Sequence, residues 1–160
     1  MEGIKQMLIE HPVDIPDMNV KGFIDIVTEL ESGEVFVYDI KTIGSWSWRF
    51  KFGRKQESKP SIHQELQLGS YGYAIREEFG RCDGLFLLYY NKDNSDVKQL
   101  EVGLEFIDQS YNYWTRVQDL HKQAHIMSPN GFPALQEGES PVMEWECKYC
   151  QYKDLCDERG

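Results

Sequence analysis

Asp39 and Lys41 close a run, Val35-Phe36-Val37-Tyr38-Asp39-Ile40-Lys41, that otherwise has the apolar and aromatic make-up of an interior strand. Buried charges are costly unless they are paired, hydrogen-bonded or bound to a metal. Successive strand residues point to opposite faces, so Asp39 and Lys41 share one. The preceding run, Val20 to Leu30, is followed by Glu31-Ser32-Gly33, a three-residue turn with glycine at its last, left-handed position. That hairpin sets Leu30 opposite Glu34 and Asp25 opposite Asp39, about 5 Å apart. Two carboxylates so close repel one another unless a cation or a proton lies between them. A hard divalent ion suits the pair, because magnesium takes one or two carboxylates and completes its shell with water and substrate phosphate. The ion acidifies a bound water and polarises phosphorus, while a lysine beside it orients or deprotonates that water. The chemistry this suggests is phosphodiester hydrolysis. The plainer alternative for Asp-x-Lys is a surface salt bridge.

Three further groups carry chemical potential. Gln67 and Tyr71 lie four apart in a helical segment and share a face, where the alternative is an ordinary polar helix surface. Cys147, Cys150 and Cys156 form C-x2-C-x5-C, a spacing suited to zinc or an iron–sulfur cluster, each of which needs a fourth ligand. Cys82, or a histidine of the His121/His125 pair, are the alternatives for that ligand, although a lone cysteine between helix and strand is usually packed as a small hydrophobe. Otherwise the three thiols are free. The segment from Trp46 to Lys59 interleaves Trp46, Trp48, Phe50 and Phe52 with Arg49, Lys51, Arg54, Lys55 and Lys59, against the single acid Glu57. Aromatic faces stack on unpaired bases and cations track phosphates. The alternative is a solvated loop whose aromatics pack back onto the core.

The 160 residues suit one domain with a real core. The net charge of −10 disfavours non-specific attraction to nucleic acid or anionic membrane, without excluding a locally basic cleft. No apolar run reaches the roughly 20 residues that span a bilayer, and the N-terminus lacks a signal-peptide layout, so a cytoplasmic protein is expected. Residues 1–19 read as irregular, with Pro12 and Pro16 as breakers and room for a short edge strand. Residues 44–60 read as a loop or lid. Ser61 to Phe79 reads as a helix capped by Ser61, Gly84 to Tyr90 as a buried strand and Val97 to Val102 as its shorter partner. Phe106 to Met127 reads as a long helix with a stripe of Phe106, Ser110, Tyr113, Val117, Leu120, Ala124 and Met127 facing a core. The order strand, strand, helix, strand, strand, helix predicts an α/β or α+β layer with a mixed sheet.

The ordered set Gly22-x-x-Asp25, Asp39-x-Lys41, Gln67-x-x-x-Tyr71 resembles the PD-(D/E)XK nuclease superfamily, and within it the RecB-like exonuclease branch. The resemblance spans about residues 20–156. It implies a restriction-endonuclease-like mixed sheet flanked by helices, in a single domain over 1–160. It implies Asp25, Asp39 and the Ile40 carbonyl as ligands of Mg2+ or Mn2+, Lys41 as the catalytic lysine, and Gln67 and Tyr71 as site residues on the helix. DNA would be the substrate, in recombination, repair or phage DNA processing within a bacterial or phage-infected cell, with recombination or helicase proteins as partners. RecB-like nucleases with a C-terminal cysteine trio, CRISPR-adaptation exonucleases among them, hold a [4Fe–4S] cluster whose fourth cysteine lies upstream of Gly-x-x-Asp, where this chain has none. The branch also carries an N-terminal helix with an acidic or histidine site residue, which this chain is expected to lack; Glu10 and His11 stand close to Asp25 in sequence. The competing readings are a non-catalytic DNA-binding subunit of the same fold and a metal-stabilised interaction module.

Overall fold

The computed structural model describes residues 3–53, 60–124, 148–151 and 153–154. They fall into two compact units, Met1–Arg116 and Val117–Gly160. The first holds a five-stranded mixed sheet in the order β1-β2-β3-β4-β5, made of β1 (Ile4–Ile15), β2 (Val20–Leu30), β3 (Val35–Ile43), β4 (Gly84–Asn91) and β5 (Val97–Val102). The pairs are antiparallel except β3 and β4, which run parallel. Parallel strands need a long crossover. Here it carries α1 (Ser45–Phe52) and α2 (Ile62–Phe79), and α3 (Glu105–Ala124) follows β5. Among the described residues no helix is long and apolar enough to cross a membrane.

The hairpin register is the one that the turn dictates. Pairs run from Glu29↔Val35 to Ile26↔Tyr38, and Gly33, at φ 87°, closes a turn in which Leu30 N–H donates to the Glu34 carbonyl. A left-handed φ costs an L-residue about 1–2 kcal/mol and glycine nothing.

Three expectations are corrected. Residues 4–15 form a twelve-residue edge strand rather than an irregular arm. An edge strand accepts Pro12, because a donor missing from its outer side breaks no ladder bond. Residues 45–52 form a helix rather than a loop, and β3 runs on past Lys41 to Ile43. In α3 Ser110 is buried and Phe106 packs against the core, as the expected stripe has them, but the fully buried Ile107, with Trp114 packed beside it, lies one position off that line.

The core lies between one sheet face and α2 with the start of α3. Val27, Val37, Leu85, Leu87, Leu68, Ile75 and Ile107 are buried there, each contributing about 1.5–3 kcal/mol by leaving water. Ser70 and Ser110 both donate to the Leu66 carbonyl (2.7 and 2.8 Å), and Trp114 Nε1 donates to Ser70 Oγ at 2.9 Å. These bonds hold α2 in place on either side of Gln67. At the start of β4, Asp83 accepts Val35 N–H at 2.8 Å and forks onto Arg81, while its own N–H donates to the Val35 carbonyl. This clamp fixes the parallel register in which Lys41 lies beside Tyr89.

Of the second unit the described residues include the last two turns of α3 and a short turn in which Lys153 N–H donates to the Cys150 carbonyl.

Candidate active site

The site begins where the β2–β3 ladder stops. After Ile26↔Tyr38 the next pair would be Asp25↔Asp39, but there the Asp25 carboxylate itself accepts the Ile40 N–H at 2.6 Å. β2 is irregular at this point. Gly22 faces Tyr71 of α2, since a Cβ there would lie 3.4 Å from Tyr71 Cε1, and Val27 shares a face with Val37 and so with Asp39. Gly22 and Val27 are an odd number of residues apart, so the alternation slips once between them. On the neighbouring strand the pair Glu10↔Asp25 is missing from the ladder, and Glu10 has φ 49°. Such a slip re-aims a side chain, and here it turns Asp25 toward the face that carries Asp39.

Asp39 is 5% exposed. Lys41 Nζ lies 2.7 Å from Asp39 Oδ2, but off the line of a hydrogen bond, so this buried oxygen has an ionic neighbour and no hydrogen-bond partner. Burial pushes the Asp39 carboxyl above its ordinary value. The Lys41 ammonium pulls it back and the charge of Asp25 pushes it further up, and the net direction is upward. Lys41 Nζ also donates to Gln67 Oε1 at 2.7 Å, and Gln67 Nε2 donates to Tyr71 Oη at 3.2 Å. Burial raises the Tyr71 phenol, the Gln67 bond lowers it and the carboxylates of Asp39 and Asp25 raise it, so Tyr71 stays a neutral hydroxyl. The structure therefore joins Asp25, Asp39, Ile40, Lys41, Gln67 and Tyr71 in one connected group, drawn from two strands and one helix.

Two residues enter this neighbourhood without a signal in their own spacing. Tyr89, 1% exposed, is the β4 register partner of Lys41, and its hydroxyl donates to Gln64 Oε1. Gln64 Oε1 also accepts Ser61 N–H at 3.2 Å at the start of α2. Burial pushes the Tyr89 phenol up to about 12, with the charges of Asp39 and Glu65 adding to it against the Gln64 bond. Only the parallel pairing of β3 with β4, set by the Asp83 clamp, brings Tyr89 to Lys41.

The basic aromatic residues divide. Trp48, Lys51 and Phe52 turn inward. Phe52 meets Tyr89 edge-on at 5.3 Å and Trp48 at 4.7 Å, and Lys51 Nζ sits 4.8 Å over the Tyr89 ring. Burial lowers the Lys51 ammonium, against the pull of Glu65. Trp46 and Arg49 are exposed. Arg54 and Lys55 lie outside the described residues, as do Cys147, Cys156 and His125. Cys150 is exposed, and Cys82 is buried with its thiol pushed up to about 11 by that burial, as suits a packed side chain. His11 is engaged elsewhere, its Nε2 lying 2.8 Å from Glu78 Oε2 near the far end of α2.

Among the described residues no three histidine, cysteine, aspartate or glutamate side chains converge on one point. The candidate donor set is two carboxylates plus a backbone carbonyl, all hard oxygen ligands of the kind that magnesium and manganese prefer. A buried Asp39 oxygen that lacks a hydrogen-bond donor, beside a second carboxylate, is a place where a divalent cation fits.

Comparison with known proteins adds to this geometry. No curated protein matches the chain. Twenty chains of solved structures do, and one of them is described as the crystal structure of SSO0001, at 18% identity and a TM-score of 0.44. The match covers 96% of this chain and 62% of that one, so the chain spans less than two thirds of its length. A sequence model of the PD-(D/E)XK nuclease superfamily matches residues 2–157, and on that match, nearly end to end, the chain belongs to the PD-(D/E)XK nuclease superfamily.

Proposed function

We propose that this chain is a divalent-metal-dependent DNA nuclease of RecB-like type, an exonuclease in DNA recombination, repair or phage DNA processing. The observation that carries the reading is the connected group Asp39–Lys41–Gln67–Tyr71 with Asp25 turned beside it. Members of the superfamily typically use Mg2+ or Mn2+. Asp25, Asp39 and the Ile40 carbonyl would hold the ion, which when bound supplies Lewis-acid polarisation of phosphate and acidifies water.

The chain's own residues do the rest. Asp39 Oδ2 and Gln67 Oε1 hold Lys41 Nζ from two sides, which fixes the ammonium without consuming all three of its protons. With one proton given to Gln67, the ammonium keeps protons that can point at a phosphate oxygen or at the attacking water, where a fixed cation stabilises the charge that develops. Gln67 takes its orientation from Tyr71, whose neutral hydroxyl accepts the amide hydrogen. Tyr71 packs against Gly22, so the first residue of Gly-x-x-Asp contacts the ring that sets the amide that sets the lysine. The spacing of Cys147, Cys150 and Cys156 supports a thiolate-held zinc or iron–sulfur group in the same chain. Metal analysis and a visible spectrum test that part.

The deciding assay incubates single-stranded and duplex DNA with the purified chain and Mg2+ or Mn2+. Degradation is expected, and Lys41→Ala and Asp39→Ala each abolish it. A chain that leaves DNA intact with both metals, or a Lys41→Ala variant that cleaves normally, overturns the reading.

A further inference from the structure

We infer that the outward face of α1 is a stacking platform for an unpaired base of the DNA strand entering the site, so that the enzyme engages single-stranded ends. The inference rests on the nuclease reading for the identity of its ligand. Trp46 and Phe50 are 74% and 53% exposed, yet their rings lie 4.4 Å apart, one helical turn from each other. At roughly 100° per residue, their mean direction points about 170° away from that of Trp48, Lys51 and Phe52. The helix thus has two aromatic faces. The inner one is fastened to Tyr89, the strand neighbour of Lys41. The outer one meets solvent.

The fastening matters to the argument. Ser45 N–H donates to Asp93 Oδ2 at 2.6 Å, and Lys92 N–H to the Ile43 carbonyl at 3.0 Å, so the β4–β5 turn also grips the entry to α1. A short helix held this firmly presents its outer rings already ordered, which spares much of the entropy of arranging them on binding. An isolated exposed aromatic needs no explanation, but two ordered rings side by side on a clamped helix form a contiguous apolar surface.

Charge selects the occupant. The α1 sequence SWSWRFKF carries Arg49 and Lys51 and no acid, in a chain of net charge −10. Arg49 is exposed and lies beside the platform, about 80° round the helix from its centre. A second copy would bring the same excess of negative charge, which opposes self-association. A nucleotide brings a flat π-face for the rings and a phosphate for the guanidinium. Duplex DNA hides its base faces, so the platform favours a single strand.

The test measures binding in EDTA by fluorescence anisotropy, with three labelled probes: a short single strand, the blunt duplex of the same sequence and an abasic backbone of the same length. Trp46→Ala and Phe50→Ala should each weaken single-strand binding about tenfold, the scale of one lost stacking contact, with little change for the duplex and the abasic backbone. Trp46→Phe should restore most of the loss. Unchanged single-strand affinity in both alanine variants overturns the inference, and so does an equal loss on all three probes. A fall in apparent mass in Trp46→Ala would assign the face to self-association and also overturn it. Metal-dependent cleavage measured in parallel separates the two readings. Cleavage with unaltered binding in the variants removes the platform alone, and platform-dependent binding without any cleavage removes the nuclease reading alone.

Discussion

Asp39→Asn should make the metal-free protein more stable and remove its response to metal. The folded carboxyl is raised because burial outweighs the attraction of Lys41, so its charge is a net cost to the fold. Asparagine keeps the volume and can turn its carbonyl toward Lys41 Nζ, which also keeps its bond to Gln67. The neutral amide stands in for the protonated carboxyl that burial favours over the charged one, so Tm in the absence of metal should rise. Metal works in the opposite direction. At a hundredfold excess over its Kd, an ion that binds only the folded state adds about 2.7 kcal/mol, or about 5–10 °C. The melting curves of the two proteins should therefore cross over: the Asp39→Asn variant melts higher in EDTA and the wild type melts higher in saturating Mg2+ or Mn2+. The pH dependence has a definite sign. A raised folded pKa means that the folded state binds more protons between the unfolded value, 3.8, and its own value. The wild-type deficit in EDTA is thus fully present above the folded pKa and disappears as the pH falls toward 3.8. Differential scanning fluorimetry at several pH values reads both effects. A variant less stable than the wild type in EDTA, or one that gains as much from metal, refutes the reasoning about Asp39.

Two further substitutions test how the site is built. Gly69→Ala would drive a Cβ into the backbone carbonyl oxygen of Phe106 and into Ser110 Oγ where α2 crosses α3; a loss of about 3 kcal/mol is expected, seen as a Tm lower by about 6–12 °C, with cleavage falling alongside as Gln67 and Tyr71 are displaced. Glu10→Gly should raise Tm by about 2–4 °C, because glycine relieves a left-handed φ worth about 1 kcal/mol, and should leave DNA cleavage at the wild-type rate; a drop in either would show that the Glu10 side chain has a role of its own.

The parts of this site that sequence reveals are those fixed by local geometry. The hairpin register follows from a three-residue turn ending in Gly33, and a turn leaves only one alignment for the strands that it joins. Helical spacing puts Gln67 and Tyr71 on one face, and it is the resemblance to the nuclease superfamily that makes them site residues. What stays hidden depends on partners far along the chain. The segment SWSWRFKF alternates aromatic and polar residues with the period of a strand, and it becomes a helix because Lys51 and Phe52 dock on Tyr89, far along the chain on β4. Tyr89 in turn reaches Lys41 only because Asp83 pins the start of β4 to Val35. Pro12 conceals the long edge strand, because proline is disfavoured in a central strand and harmless at an edge.

The slip at Asp25 shows why a motif can be legible while its geometry is not. Gly-x-x-Asp places its two named residues an odd number apart, so in a regular strand Gly22 and Asp25 would face opposite sides of the sheet. Yet Gly22 must face α2 to receive Tyr71, and Asp25 must face the same way to stand beside Asp39. The motif can satisfy both demands only if the strand loses its alternation between them, and a neighbouring strand must absorb the irregularity. β1 does so at Glu10, where the ladder skips a pair and the backbone turns left-handed. An edge strand suits that task, because it has a neighbour on one side only and can bend without disturbing a second ladder. The twelve residues of β1 are thus part of the machinery that aims Asp25.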